Sequence, residues 1–395
     1  MNIKDHRTTQ VMAPYDVIVV GGGIAGISAS VAAAREGAKT LILEKGIVFG
    51  GLATAGLISW YEPLCDGCGK KVIGGIAEEL IKLSIKYGFQ DLPKEWGGED
   101  YAREDGRYST HFSPTIFAMA IDEFLRSNNV DIMLDCLMTY PVMENGRCVG
   151  IVAEAKEGKL FFPAGVVIDA TGDASVFASA GAETVLGRNF QAYYSHVYDE
   201  DTIDSYKRTG NISKMRKWVV AGVNLFMEDV TEKKSYYGTS SKEITNFVLD
   251  GRKRFLEKIK SSDANSRDVS MMPFMPQFRT IRRIIGEKDF CAVDGEKHDD
   301  AIGSCGDFRK NHIGKHYQIP FRALYNKAFS NLLAAGRIIS SPEGDGWEVA
   351  RVIPVCAMTG QAAGIAASMA LGGSVSDIDI KTLQKKLADA GVLFV

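Results

Sequence analysis

Three glycines at a strand-to-helix junction constrain this chain more than any other feature. Gly21, Gly23 and Gly26 follow the β-branched run Tyr15–Val20, and a segment rich in small residues, 24–36, comes directly after them. The first glycine permits a tight turn, the second lets backbone N–H groups approach a diphosphate, and the third lets helix and strand pack closely. The pattern predicts a βαβ unit that binds a dinucleotide at the positive end of its helix.

A second strand and a carboxylate complete this unit. Thr40–Leu43 is another apolar run, and Glu44 follows it, about 18 residues after Gly26. A carboxylate at this place accepts hydrogen bonds from ribose hydroxyls. The alternative is a glycine-rich turn with an incidental surface glutamate, and the complete order of elements favours the nucleotide site. Glycines and an acid alone do not distinguish NAD from FAD.

Composition places the chain among ordinary globular proteins. Its 395 residues include 46 Lys+Arg and 49 Asp+Glu, a balance without a basic stripe for nucleic acid or a polybasic membrane patch. Seven cysteines are too few for a secreted disulfide scaffold of this length. The polar first residues lack the apolar core of a signal peptide, and three consecutive glycines interrupt the apolar run 17–34. We therefore expect a cytoplasmic protein without membrane insertion.

Other segments predict a mixed sheet. Asn145-Gly146 favours a tight hairpin, 160–162 reads as a third antiparallel strand, and 166–168 as a separate buried strand. The first dozen residues are predicted to form a frayed tail, and the charged, glycine-rich segment 93–107 an exposed loop. From 190 to 321 charge and aromatic content rise and βα alternation fades, which indicates an inserted unit.

The order of motifs resembles a known superfamily. After the N-terminal unit come a turn at 170–173, a strand and turn at 333–337, and a glycine pair at 360–364. This sequence resembles the FAD-dependent oxidoreductases related to glutathione reductase and fumarate reductase flavoproteins. More narrowly, it resembles the bacterial FAD-dependent oxidoreductase family with a cap domain. Further matches to that family are residues 65–67, 72–76, 282–287, 300–303 and 317–322.

The resemblance implies an α/β fold with two main units. A Rossmann-like FAD-binding domain, with a parallel sheet and an antiparallel meander, would comprise residues 12–189 and 322–375. An inserted α+β cap domain for the substrate would comprise residues 190–321, with 60–110 as a candidate contribution. Residues 376–395 would form a C-terminal helix.

The resemblance also implies a non-covalent FAD site. The three glycines of the turn would hold the diphosphate and Glu44 the ribose, while a helix beginning at Gly360 would approach the flavin. The alternative for Gly360 is that it only allows close packing between helices rich in small residues. The expected cofactor-binding residues are Gly21, Gly23, Ile24, Ala25, Gly26, Glu44, Lys45, Gly50, Gly51, Thr171, Gly172, Asp173, Gly336, Arg337, Gly360, Gln361 and Ala362.

Substrate chemistry at a flavin needs a proton donor or acceptor and a compensating charge. Guanidinium groups suit carboxylates, and His or Tyr side chains suit proton transfer. Ion pairs with Glu287 and Asp289, or a solvated basic face, are the alternative for any single arginine. The catalytic candidates are Arg351, Arg282, His316 and Tyr317, with Arg279, Arg283 and Arg322 as further candidates for anion binding.

These features predict hydride transfer between FAD and a small organic substrate under the cap, with an electron partner that the sequence does not identify. One alternative is a dithiol/disulfide reductase that uses Cys65 and Cys68, because C-x-x-C spacing occurs in redox sites. The same pair is also compatible with half of a zinc site, or with two free thiols that have no role in catalysis. We expect no metal site. The other alternative is a non-catalytic, flavin-binding subunit for electron transfer.

Overall fold

A computed structural model describes residues 8–92, 108–222 and 234–395 of the chain, so the loop predicted at 93–107 lies outside the described residues. The helices of this part are α1 (Ile24–Arg35), α2 (Ile76–Ile85), α3 (Pro114–Ser127), α4 (Ser175–Ser179), α5 (Glu200–Thr209), α6 (Ser241–Lys260), α7 (Trp347–Ala350), α8 (Ile353–Met369) and α9 (Ile380–Asp389).

The strands of the same residues form one large sheet and several small ones. They are β1 (Gln10–Val11), β2 (Tyr15–Val20), β3 (Thr40–Leu43), β4 (Trp60–Tyr61), β5 (Thr110–His111), β6 (Asp131–Met133), β7 (Leu137–Glu144), β8 (Arg147–Ala155), β9 (Gly158–Asp169), β10 (Thr184–Leu186), β11 (Asn189–Phe190), β12 (Ala192–Asp199), β13 (Lys217–Gly222), β14 (Ser235–Tyr236), β15 (Arg267–Met271), β16 (Arg282–Ile284), β17 (Ala301–Gly306), β18 (His316–Pro320) and β19 (Leu332–Ala334).

Strand β9 organises the large sheet. The sheet runs in the order β6-β3-β2-β9-β8-β7, and both β1 and β19 also pair with β9. The first half of β9 is antiparallel to β8, whereas its second half is parallel to β2 and β19. The carboxyl ends of β2, β9 and β19 therefore lie side by side, at the edge where open α/β sheets bind ligands.

Two details of this sheet correct the predictions from sequence. Residues 160–162 and 166–168 belong to one twelve-residue strand, β9, not to two. Pro163 lies where the ladder changes partners, between the pairing with β8 and that with β2, so its missing N–H interrupts neither. The frayed tail is also wrong in part, because Gln10 and Val11 pair with Leu160 and Phe161.

Helices α1 and α8 pack with their backbones in close contact. A Cβ at Gly360 would lie 2.2 Å from the carbonyl oxygen of Ala25, and a Cβ at Gly364 would lie 2.2 Å from that of Ala29. Such distances leave no room for a larger residue on α8. The glycines therefore fix α8 directly above α1, and the start of α8 comes to lie near the strand ends.

The region predicted as a cap contains a separate small sheet. Strand β12 pairs with β13 and β15, and α6 covers one face of it through Phe255, which packs with Tyr193 and Val197. From Ile284 onward, the buried residues join the main core instead. The exact domain boundaries remain a prediction. In the described residues, no helix has both the length and the apolar character needed to cross a membrane.

Candidate functional site

The glycine turn between β2 and α1 leaves one open position. Gly21 has a φ of +106°, and a Cβ at Gly26 would lie 1.8 Å from the carbonyl oxygen of Gly21, so packing requires both glycines. At Gly23, a Cβ would meet no atom of the described residues within 4 Å. No side chain caps α1 at this residue, so the N–H groups of its first turn are available to an anion.

Glu44 and the segment that follows it line this turn. The two carboxylate oxygens of Glu44 accept hydrogen bonds of 2.7 Å from the N–H groups of Gly22 and Gly46. Each carboxylate oxygen has a further lone pair, so Glu44 retains capacity for ribose hydroxyls. Gly50 donates its N–H to the carbonyl of Gly22 at 2.8 Å. The predicted 50–51 segment therefore lies against the glycine turn.

Asp169 holds the loop that follows β9. This buried carboxylate accepts hydrogen bonds from the hydroxyl and the N–H of Thr171 and from the N–H groups of Val176 and Phe177. Burial raises the pKa of Asp169 to about 6. Asp173 accepts two hydrogen bonds from the first residue of α4. The side chains of Thr171 and Asp173 thus shape the loop.

Arg337 connects this loop to the turn after β19. Its Nε donates to the carbonyl of Gly172 at 2.7 Å. Gly336 donates its N–H to Thr359 at 3.0 Å, and a Cβ at Gly336 would lie 2.8 Å from the Cβ of Ala25. The loop 171–173, the turn 336–337 and the first turn of α1 therefore meet at the strand ends, and their role in cofactor binding stays a prediction.

The prediction that a helix begins at Gly360 is wrong. Helix α8 begins at Ile353, because a proline in its first turn favours a start there, and Gly360 lies in its interior against α1. The side chain of Gln361 accepts a hydrogen bond from the N–H of Ile76 at 2.8 Å and donates to Ala390 at 3.2 Å. Gly360, Gln361 and the buried Ala362 therefore pack α8 against neighbouring elements, which is the alternative given above for Gly360.

Two side chains of opposite charge, Glu62 and Arg351, lie near each other at the true start of α8. In the described part of the chain, Oε2 of Glu62 and Nε of Arg351 are buried and have no hydrogen-bond partner. Nε1 of Trp347 and Oε2 of Glu348 lack a partner in the same way. Buried polar groups are almost always hydrogen-bonded. Bound water or a ligand is therefore expected to supply the missing partners of this cluster.

The environment of Glu62 suits proton transfer. Burial raises its pKa to about 7, although the charge of Arg351 and the N–H of Ile353 oppose the shift. Burial lowers the pKa of Arg351, and the charge of Glu62 opposes that change. A carboxyl group with a pKa near neutrality both donates and accepts protons at physiological pH. Sequence analysis missed Glu62, because no motif surrounds it and Arg351 lies about 290 residues away.

One of the predicted arginines, Arg279, lies near this cluster, and another, Arg282, lies at the loop after β9. Burial and the charge of Arg351 lower the pKa of Arg279 to about 10, while the hydroxyl of Tyr194 opposes the shift. Arg282 donates to the carbonyl oxygen of Asp173 at 3.4 Å, so it lies at the loop after β9. Arg279 is thus a neighbour of Arg351, and Arg282 a neighbour of the nucleotide loop.

The other two arginines form ion pairs. Arg283 lies 3.3 Å from a carboxylate oxygen of Asp289, and Arg322 lies 2.9 Å from one of Asp300. The ion-pair alternative therefore accounts for both, although Arg322 pairs with an aspartate that the sequence analysis did not consider.

His316 and Tyr317 lie on the hairpin of β17 and β18. The buried hydroxyl of Tyr317 donates to Asp307 at 2.7 Å, and Asp307 also binds Arg309 and His312. His316 is half-buried and has the carbonyl of the preceding turn 3.5 Å from its Nδ1. The hydroxyl of Tyr317 is thus held by Asp307. An acid–base role for His316 or Tyr317 stays a prediction.

The two cysteines of the C-x-x-C pair differ in environment. Cys65 is buried, Cys68 is exposed, and both are free thiols. Burial raises the pKa of Cys65 to about 12, which disfavours the thiolate that redox chemistry requires. The reductase alternative stays a prediction. Across the described ranges, no three His, Cys, Asp or Glu side chains are grouped so that they could hold a metal ion.

The arrangement at the strand ends fits a dinucleotide cofactor. A Cβ at Gly23 would meet no described atom within 4 Å, Ile24 and Ala25 form the helical turn behind that position, and Glu44 hydrogen-bonds to the neighbouring Gly22. The roles of Gly23 and Glu44 in binding the diphosphate and the ribose stay predictions. Exposed Lys45 follows that carboxylate. At the far end of the site, the unpartnered polar atoms near the start of α8 leave hydrogen bonds for a ring system or a substrate.

Comparison with known proteins identifies relatives. The chain is 32% identical to a thiamine thiazole synthase of Sulfolobus acidocaldarius over 176 residues, which cover 42% of this chain and 58% of that protein. It is 30% identical to a thioredoxin reductase of Bacillus subtilis over 87 residues, which cover 22% of this chain and 28% of the relative. The chain thus spans little more than half of the first relative and under a third of the second.

A solved structure and a family match complete the comparison. A geranylgeranyl bacteriochlorophyll reductase-like protein from Thermoplasma acidophilum is similar over 96% of this chain and 83% of its own length, at 14% identity and a TM-score of 0.48. Residues 16–283 and 272–387 match the family described as FAD dependent oxidoreductase. This match confirms the predicted cofactor, FAD, and the predicted class of enzyme. The chain belongs to the FAD dependent oxidoreductase family.

Proposed function

We propose that this oxidoreductase binds FAD non-covalently at the carboxyl ends of β2, β9 and β19 and exchanges a hydride with a small organic anion. Bound FAD supplies the two-electron donor or acceptor of the reaction. The N–H groups behind Gly23 would hold the diphosphate, and Glu44 would bind a ribose hydroxyl. Arg337 and Arg282 hold the loop 171–173 in place through its carbonyl groups.

The cluster of Glu62 and Arg351 supports this proposal most strongly. Both side chains have a buried polar atom without a partner in the described residues, and both lie near Cys356, whose pKa responds to their charges. The Sγ of Cys356 would be 3.6 Å from a Cβ at Gly336. The charged cluster is therefore adjacent to the turn 336–337, which is predicted to border the cofactor.

The charges of the cluster favour an anionic substrate. The charge of Arg351 lowers the pKa of Arg279, and two like charges in a partly dry environment repel each other strongly. A carboxylate bound between them removes this repulsion, and guanidinium groups suit its planar geometry. The substrate would thus be positioned by arginine and would react beside Glu62.

Glu62 would move the proton that accompanies the hydride. In the oxidising direction, a substrate C–H bond breaks as hydride leaves for the cofactor, and the carboxylate of Glu62 takes the proton of the adjacent O–H or N–H group. In the reducing direction, protonated Glu62 returns that proton. Its pKa of about 7 makes both forms available near neutral pH.

The first experiment is an anaerobic screen with purified protein. Mass spectrometry of the released cofactor should find unmodified FAD, and hydroxy and amino carboxylates should be tested for loss of the flavin absorbance. A Glu62→Gln variant should keep its FAD and react about 10²–10⁴-fold more slowly. Glu157→Gln, at an exposed position, is the matched control.

Three outcomes would contradict the proposal. A Glu62→Gln variant that reacts at the wild-type rate would remove Glu62 from the chemistry. Failure of every organic substrate to reduce the cofactor, or of every oxidised counterpart to reoxidise it, would favour the electron-transfer subunit. Reoxidation by disulfides that disappears in Cys65→Ser would instead favour the dithiol reductase.

A further inference from the structure

A cavity of about 300 Å³ lies beside the small sheet of β12, β13 and β15, and we refer to it as the β13 cavity. Phe89, His111, His196, Arg216 and Trp218 are among the residues that line it. Its volume is at the lower end of the range for small-molecule sites. Its lining comes from the region predicted as the cap and from the segment 59–111, and the hydride transfer proposed above uses none of these side chains.

Arg216 is a half-buried cation of this cavity, and the carboxylate of Asp91, which also lines the cavity, opposes the lowering of its pKa. Its Nη2 donates to the backbone carbonyl of Phe112 at 2.6 Å, and within the described ranges no carboxylate oxygen lies within ion-pair distance of it. The two lysines of the cavity differ, because Lys214 lies 3.7 Å from Asp91 and Lys217 is paired with an aspartate on β12. Burial lowers the pKa of Arg216 to about 10.

His196 places a second donor next to this guanidinium. The indole N–H of Trp218 donates to Nε2 of His196 at 2.5 Å, and burial lowers the pKa of His196 to about 3, so the ring is neutral. With Nε2 acting as acceptor, the ring carries its proton on Nδ1. That atom lies 3.4 Å from Nη1 of Arg216. Two donors therefore face each other, and an acceptor bound beside them would satisfy both.

Aromatic rings form much of the remaining wall. The guanidinium of Arg216 lies 4.8 Å from the centre of the Phe89 ring. The rings of His111 and Trp218 meet edge to face, with centres 5.2 Å apart. Flat apolar surfaces of this kind favour a ligand with a planar ring.

We propose that the β13 cavity binds a small aromatic carboxylate, with the carboxylate held by Arg216 and Nδ1 of His196 and the ring against Trp218. Because Lys214 is paired with Asp91 and Lys217 with Asp199, Arg216 leaves one positive charge for a ligand. This charge matches a monoanion, whereas a dianion such as phosphate would need a second cation. The volume of the cavity accommodates an acid of one ring. This proposal concerns binding alone and does not depend on the proposed hydride transfer.

Calorimetric titration of the purified holoenzyme with benzoate tests the proposal. We expect saturable binding of one benzoate per chain. Arg216→Gln should weaken binding at least tenfold, which corresponds to about 1.4 kcal/mol. Arg208→Gln, at an exposed position of α5, is the matched control and should bind as the wild type does. Thermal unfolding and the flavin spectrum verify that each variant is folded.

A second variant covers the case in which Arg216→Gln does not fold. Arg216→Lys keeps a positive charge and a donor for the carbonyl of Phe112, but it cannot form two parallel hydrogen bonds with a carboxylate. It should bind benzoate about fivefold more weakly. Wild-type affinity in this variant, no binding of benzoate to the wild type, or equally tight binding of phosphate would each overturn the proposal. None of these results depends on reduction of the cofactor, so the two proposals fail independently.

Discussion

Replacement of Gly23 by alanine separates a glycine that serves the cofactor from glycines that serve the fold. The backbone at Gly23 has φ −74° and ψ 178°, which alanine adopts without strain. An added Cβ would meet no atom of the described residues within 4 Å. We therefore expect Gly23→Ala to fold normally in the apo form and to bind FAD weakly.

The magnitude follows from two small effects on the apo protein and a larger one on binding. Alanine restricts the unfolded chain and stabilises by about 0.4–1 kcal/mol, while its poor capping of α1 costs a similar amount. The free energy of unfolding of the apo protein should thus change by less than about 1 kcal/mol. Loss of one hydrogen bond to a charged diphosphate costs about 1.5–3 kcal/mol, so FAD affinity should fall by roughly 10- to 100-fold.

Urea unfolding of the apo protein and fluorescence titration with FAD measure the two quantities. Gly26→Ala is the comparison variant, because its Cβ would lie 1.8 Å from the carbonyl of Gly21. That clash should destabilise the apo protein itself by about 1–3 kcal/mol or more. The reasoning is refuted if Gly23→Ala keeps wild-type affinity for FAD, or if it destabilises the apo protein as much as Gly26→Ala does.

Three further predictions concern stability. Gly360→Ala should lower the free energy of unfolding by about 1–2 kcal/mol, measured in urea, because overpacking against α1 exceeds the gain in helix propensity; a stabilised variant would contradict this. Asn331→Ala removes side-chain hydrogen bonds to both backbone groups of Cys148 and should cost about 2–4 kcal/mol by thermal unfolding. The unfolded protein releases the proton of Glu62 near pH 4.5 and the folded protein near pH 7, so the contribution of Glu62 to stability falls as pH rises between these values. The lowered pKa of His196 contributes in the opposite direction up to about pH 6.5. The difference in unfolding free energy between the wild type and Glu62→Gln should therefore fall with rising pH, and a difference that does not change with pH would contradict the assignment.

Local patterns predicted the part of the site that is local in sequence. The strand β2, the turn at Gly21 and the helix α1 are adjacent along the chain, so glycine spacing and β-branched residues were sufficient. Glu62 and Arg351 meet only because α8 packs on α1 and brings its start to the strand ends. No spacing rule relates two such distant residues, and the sequence therefore identified only the arginine.

The role of a glycine also depends on what it faces. Gly23 borders open space, whereas Gly360 contacts the backbone of α1, although both precede similar runs of small residues. Likewise, the separate strands predicted at 160–162 and 166–168 are continuous, because Pro163 falls where one neighbour of β9 replaces another. Sequence patterns describe a residue's own conformation better than they describe its neighbours across the sheet.

The position of β19 has a consequence for biosynthesis. Leu332 pairs with Val167, about 165 residues earlier in the chain, so β9 keeps part of one edge unpaired while the intervening residues are translated. Parallel pairing between strands that are far apart in the sequence forms slowly. Until it forms, the unpaired strand edge is prone to association with other chains. We expect ribosome-bound chains that stop before Leu332 to remain protease-sensitive and dependent on chaperones, and chains that extend past the end of α8 to become resistant.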